Sequence, residues 1–312
     1  MANRWLGWLL GRGIIGQRGP AGKAYRWIAP GYALDGDGFA YSVPAVTGDE
    51  LFANGSFSAD TDWTKGAGWS IGSGVASRGG TAAQSNLTQA PALDRHVLYR
   101  LIYTVTALSA GTTLGLVQGA GVGVRKTLEA TYTAWPRLGQ SATYGVQAAA
   151  NSVLSIDNAS LYAVDMDTAL AMLNVNEPVS RITLAIEDAP IDDAMMLVMA
   201  AGAANSLYNC ILAAIFQHTD GTYRVRLYKV VDGIPSATIG ADETVTFVSG
   251  AKFELWRVGT TYTIYYNGAA TAATGTITDA SIVSNAYHGF CSLGDRRIAG
   301  FWLNGRRIPF RL

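Results

Sequence analysis

Phe253-Glu254-Leu255-Trp256-Arg257-Val258-Gly259-Thr260-Thr261-Tyr262-Thr263-Ile264-Tyr265-Tyr266-Asn267-Gly268 is the stretch that decides how this chain folds. It holds two runs of β-branched and aromatic residues in which apolar side chains recur at every second position, the period of a half-buried strand. Val258-Gly259 separates the runs. Asn267-Gly268 closes the second with a dipeptide suited to a type I′ turn, which needs positive φ at both central positions. The same pattern extends outward on both sides, predicting strands over 181–186, 195–199, 207–216, 223–231, 244–248 and 298–303. Asp220-Gly221 marks a further hairpin. Short strands joined by tight turns, with no helix-length segments between them, indicate an all-β antiparallel architecture.

The composition agrees. Of 312 residues, 49% are hydrophobic and 15% charged, against roughly 25% charged in an average soluble domain. Thr, Ser, Asn and 36 Gly supply the missing polarity, a mix suited to strands and turns. A chain of this length predicts two compact modules plus a short extra segment. The formal net charge of zero argues against a nucleic-acid partner, which calls for net positive potential. No apolar run reaches the roughly 20 residues that span a bilayer, so no membrane insertion is expected. Cys210 and Cys291 lie in predicted strands, and whether they pair stays open.

Toward the N-terminus, Val97, Tyr99, Leu101, Tyr103 and Val105 share one face of a predicted strand, and further short runs surround 114–117 and 153–156. Two motifs bracket this region. One opens it: Glu50-Leu51-Phe52-Ala53-Asn54-Gly55-Ser56-Phe57, Asp62-Trp63-Thr64, Gly68-Trp69-Ser70-Ile71 and Gly74-Val75-Ala76. The other closes it: Ile156-Asp157-Asn158-Ala159-Ser160-Leu161. Together they resemble jelly-roll modules similar to carbohydrate-binding modules, common in bacteriophage tail and virion proteins. The stretch 253–268 is similar to the central strands of concanavalin-like and laminin-G-like sandwiches. The expected organisation is an N-terminal anchor over 1–49, a jelly-roll module over 50–165, a linker over 166–177 containing a short helix, and a lectin-like sandwich over 178–312.

The anchor reading starts from Trp5, Leu6, Trp8, Leu9 and Leu10, an apolar cluster beside Arg12 that needs a partner surface to bury it. Behind it, Gly13, Gly16, Gly19 and Gly22 open four consecutive Gly-X-Y triplets, the period of a collagen triple helix. A homotrimer follows if the period is structural, and a glycine-rich linker if it is not. Arg4, Arg12, Arg18, Lys23 and Arg26 stand among the first 26 residues with no acid. These residues fit either an acidic groove of a neighbouring protein or water.

Catalytic constellations are not evident. His96, His218 and His288 are the available imidazoles, and none carries a flanking signature of nucleophilic catalysis. Glu187, Asp188, Asp192 and Asp193 form the one dense acidic group, around Pro190, where a solvated turn competes with a glycosidase pair. No metal site and no cofactor are predicted. Tyr228, Trp256 and Tyr265 fall on the strand phase opposite Leu227, Leu255 and Ile264. They are candidates for stacking on sugars or, alternatively, for cross-strand pairing on a wet face.

The resemblance implies a non-enzymatic phage virion component of tail-fibre type. It would be attached to other virion proteins through 1–49, and its sandwiches would contact host-surface glycans. Two other roles stay open: a capsid-decoration or tail structural protein without a glycan ligand, and a secreted polysaccharide-degrading enzyme.

Overall fold

A computed structural model describes residues 25–29, 32–35, 38–41, 46–93, 97–109, 114–118, 121–122, 126–134, 143–165, 169–174, 179–190, 194–203, 207–218, 220–294 and 296–310. The protein is all-β, with antiparallel sheets forming two sandwiches.

In the first sandwich, a five-stranded sheet takes Thr64–Lys65, Ser85–Gln89, Leu114–Gln118, Gly121–Val122 and Tyr144–Ala148. It faces a sheet built on the long pair Leu98–Leu108 and Leu154–Val164. Leu87, Val146, Leu101, Tyr103, Ile156 and Leu161 meet in one core. Trp63 and Trp69 belong to that core rather than to a ligand platform. Trp63 packs 5.0 Å from Phe52 and 5.1 Å from Phe57, and its Nε1 donates to the Asn54 carbonyl. The Asn54-Gly55 motif has a local cause. Asn54, at φ +51°, donates from its amide to the carbonyls of Ala59 and Thr61, closing the loop. A Cβ on Gly55 would stand 2.1 Å from the Ala159 carbonyl oxygen, so only glycine lets the opening motif pass the closing one.

The second sandwich contains the sequence-deciding hairpin. Its eight-stranded sheet runs Tyr32–Asp35, Gly38–Tyr41, Arg296–Leu303, Arg181–Ile186, Ala251–Val258, Thr261–Tyr266, Ala269–Thr276, with Arg306–Ile308 also paired to Arg296–Leu303. Asn267 and Gly268 both have positive φ, as a type I′ turn requires, whereas in the Asp220-Gly221 loop only Gly221 does. The facing seven-stranded sheet runs Trp27–Ile28, Leu170–Leu173, Tyr287–Ser292, Ala194–Ala201, Cys210–Gln217, Tyr223–Val231, Ile234–Val245. Its inner strands are almost wholly buried, which accounts for their unbroken apolar runs. Cys210 and Cys291 are buried free thiols. Burial raises both above the usual thiol range, Cys291 to about 12.

Two expectations change. Trp27–Ile28, Tyr32–Asp35 and Gly38–Tyr41 are not part of a detached anchor, because they supply strands to both sheets of the second sandwich. Trp27–Ile28 pairs with Met172–Leu173, and Phe39–Tyr41 pairs with Arg296–Ile298. Tyr32 hydroxyl donates to the Ala169 carbonyl and accepts from the Ser292 amide. Of the linker expected to contain a short helix, 166–168 and 175–177 lie outside the described residues and Ala169 is helical, whereas Leu170–Leu173 is a strand. Its helix-like spacing is overridden because neighbours on both sides satisfy its backbone while all four side chains are buried. The first sandwich is thus inserted within the second. Val46–Thr47 pairs with Ala163–Val164, setting the outgoing and returning chain side by side.

Candidate functional site on the eight-stranded sheet

Strand phase and register define the outer face of the eight-stranded sheet. Ile182, Leu184, Phe253, Leu255, Tyr262 and Ile264 point into the core, so Arg181, Thr183, Glu254, Trp256, Thr263 and Tyr265 point outward. The register sets Trp302, Thr183, Glu254 and Tyr265 in one cross-strand row. Arg181, Trp256, Thr263 and Thr274 form the next row.

Glu254 organises this face. Although it points outward, it is only 2% exposed, because its neighbours close over it. Its carboxylate accepts from Arg181 Nη2, from Thr183 Oγ1 at 2.8 Å and from Trp256 Nε1 at 3.3 Å. The Arg181 guanidinium lies 4.7 Å from the Trp256 ring, and Tyr265 stacks on Trp256 with centroids 4.4 Å apart. A buried carboxylate is tolerated only when so compensated, and here one cation and two neutral donors surround it.

Trp256 and Tyr265 are therefore brought together, but as a pair engaged with each other. Tyr228 is not brought to them, because its strand belongs to the seven-stranded sheet. There its hydroxyl accepts from Arg226 Nη1 at 3.0 Å, and Arg226 is itself paired with Asp242. Trp5, Leu6, Trp8, Leu9, Leu10, Arg12, Gly13, Gly16, Gly19 and Gly22 lie outside the described residues.

The sequence reading missed Trp302. Its indole leans over Gly300, two positions earlier on the same face, where an added Cβ would come within 2.3 Å of the benzo ring. Glycine two residues before an aromatic on one strand is the signal that was available. The ring is laid along the sheet and is partly exposed. Lys252 and Arg307 flank it.

The other candidates have structural roles. His218 sits 3.2 Å from Asp220 in a hairpin loop. His288 is buried and accepts from the Ala200 amide. His96, Asp192 and Asp193 lie outside the described residues. Glu187 pairs with Arg297, and Asp188 accepts from the Arg297 amide. Among the described residues, no group of three or more His, Cys, Asp or Glu gathers to hold a metal.

No family model matches the chain, and no curated protein matches it. Among solved structures it is similar to the carbohydrate-binding module CBM66 from Bacillus subtilis, with 14% identity over 46% of this chain and 81% of that one and a TM-score of 0.33. It is similar to sheep galectin-11 in complex with glycerol, at 9% identity, 43% and 95% coverage and a TM-score of 0.31. A third likeness is to the κ-carrageenase from Pseudoalteromonas carrageenovora in complex with an oligotetrasaccharide of κ-carrageenan, at 9% identity, 82% and 84% coverage and a TM-score of 0.28.

Proposed function

We propose that the chain is a non-catalytic adhesion protein that binds glycans on the outer face of its eight-stranded sheet, as a component of a bacteriophage particle. The observation that carries the glycan reading is the Trp302 indole, laid along the sheet beside the row Thr183, Glu254 and Tyr265. Saccharides present apolar C–H faces ringed by hydroxyls, and a flat aromatic with polar neighbours matches both features. A catalytic reading fits less well. Glu254 is engaged by three donors, and its neighbours on that face are Thr183 and Tyr265 across the strands and Lys252 and Trp256 along its own, none of them a second carboxylate. The particle assignment is supported by the sequence of 1–24, whose Trp/Leu cluster and Gly-X-Y triplets fit a docked, trimeric stem.

Probing the full chain on an array of bacterial surface glycans tests the binding reading. Wild type is expected to bind a restricted set, and Trp302→Ala is expected to lose that binding with an unchanged thermal transition. Binding that persists in Trp302→Ala overturns the site. Silence across the array favours a decoration role without a ligand, and release of reducing ends from a bound polymer favours a degrading enzyme. Light scattering of the full chain tests the trimer, and a monomer overturns it.

A further inference from the structure

The charges around Trp302 are one-sided. Lys252 Nζ stands 5.6 Å from the indole centroid and Arg307 Cζ 6.0 Å. They come from opposite flanks of the strand that carries the indole. Lys252 lies across Ala185 from Gly300. Arg307 lies directly opposite Trp302 on the other side. Both are exposed, and among the described residues neither has an acidic partner; the one hydrogen bond of the Arg307 side chain goes to the Ala299 carbonyl. The neighbouring cations differ in this respect, since Arg181 is engaged by Glu254 and Arg297 by Glu187.

Stability does not account for the pair. An exposed cation near the limit of cation–π range adds little to stability, and two like charges around one ring repel. Their placement has a use if an anion completes it. A guanidinium offers a planar fork for a carboxylate or sulfate, and an ammonium adds a point charge from the other side. A neutral sugar gives these groups only hydroxyls.

We infer that the ligand of this face is an acidic saccharide, carboxylated or sulfated, whose ring rests on Trp302 while its anionic group is held by Lys252 and Arg307. The inference rests on the proposed glycan-binding function and narrows it to a ligand class.

The test uses the full chain on immobilised bacterial polysaccharides, half of them neutral and half bearing uronate or sulfate. Binding is read from about 50 to about 300 mM salt, a range over which the Debye length falls from about 14 to about 6 Å. Wild type is expected to bind acidic members, more weakly as salt rises. Lys252→Gln/Arg307→Gln is expected to lose roughly tenfold in affinity or more, by removal of two charge-assisted contacts, and to show a flattened salt response. Separate uronate and sulfate arms identify which anion is read. Equal binding to neutral members, lost in Trp302→Ala but unchanged in the double variant, overturns the acidic ligand and leaves the glycan reading standing. Absence of binding to every member overturns both. Both substituted side chains are exposed, so the thermal transition should not move, and it serves as the check on folding.

Discussion

Replacing Glu254 by alanine exposes the energetic core of the outer face to measurement. Three donors would lose their acceptor: Arg181 Nη2, Thr183 Oγ1 and Trp256 Nε1. Removing one partner of a fully buried ion pair costs about 3–5 kcal/mol, because the other charge is stranded. Here Arg181 keeps a third of its side chain in water and can rehydrate, which reduces that cost. Thr183, only 2% exposed, cannot, and an unsatisfied buried hydroxyl adds about 1 kcal/mol. The expected loss is therefore about 2–3 kcal/mol, or a fall in Tm of roughly 5–10 °C for a folding unit of this size. Urea denaturation followed by tryptophan emission should show a lower midpoint at unchanged slope. Glu254→Met combined with Arg181→Met should recover much of the loss, since an apolar pair leaves no charge unpaired. A loss below about 0.5 kcal/mol in Glu254→Ala would refute the assignment of Glu254 as the organiser of this face.

Two further predictions concern other parts of the fold. Arg78, 1% exposed in the first sandwich, donates to the Ser152 carbonyl, the Ala83 carbonyl and Thr81 Oγ1, each at 2.7 Å. Arg78→Met should cost about 2 kcal/mol by leaving two carbonyls unsatisfied, and should speed hydrogen exchange at the Asn151 amide, which donates to the Thr81 carbonyl of the same loop pair. Asp242 is held below the ordinary carboxylate range by its hydrogen-bonded pairing with Arg226. A depressed carboxylate contributes stability that is present above its unfolded pKa, near 3.9, and lost as pH falls through the folded value. The stability gap between wild type and Asp242→Asn should therefore be constant at neutral pH and shrink below about pH 4. A gap that widens in acid would contradict the pairing.

How much of this was legible in the sequence depended on the distance over which each decision is made. Hairpins are local, and the strands Arg181–Ile186 and Tyr223–Val231 fall on the bounds read from alternation alone. Asp232-Gly233 and Asn304-Gly305 are two more turns with positive φ at both positions, signalled by dipeptides that could have been read the same way. The insertion was not legible. It rests on strands of two to four residues that pair with partners more than 110 positions away, and no local pattern specifies such a register. The site divided along the same line. Trp256 and Tyr265 stood out by phase, but Tyr228 has the same phase on a different sheet. Arg181, Glu254 and Trp302 become neighbours only through the pairing of strands far apart in sequence.

That long-range pairing also ties the start of the described chain to the proposed site. Trp27 Nε1 donates to the Pro309 carbonyl, and its ring packs 5.1–5.5 Å from Phe290, Phe301 and Phe310, so one aromatic cluster clamps both ends of the second sandwich. Arg306 lies 5.5 Å from the Tyr25 ring, which ties the start of the described chain to Arg306–Ile308, the short strand that also carries Arg307. Tyr25 is therefore placed beside the strand whose Arg307 flanks Trp302. The clamp cannot form until Phe301 and Phe310 are made, whereas the inserted module has its own core and can fold first. The clamp therefore closes only when the chain on both sides of the inserted module is present, because Trp27 precedes that module and Phe290, Phe301 and Phe310 follow it.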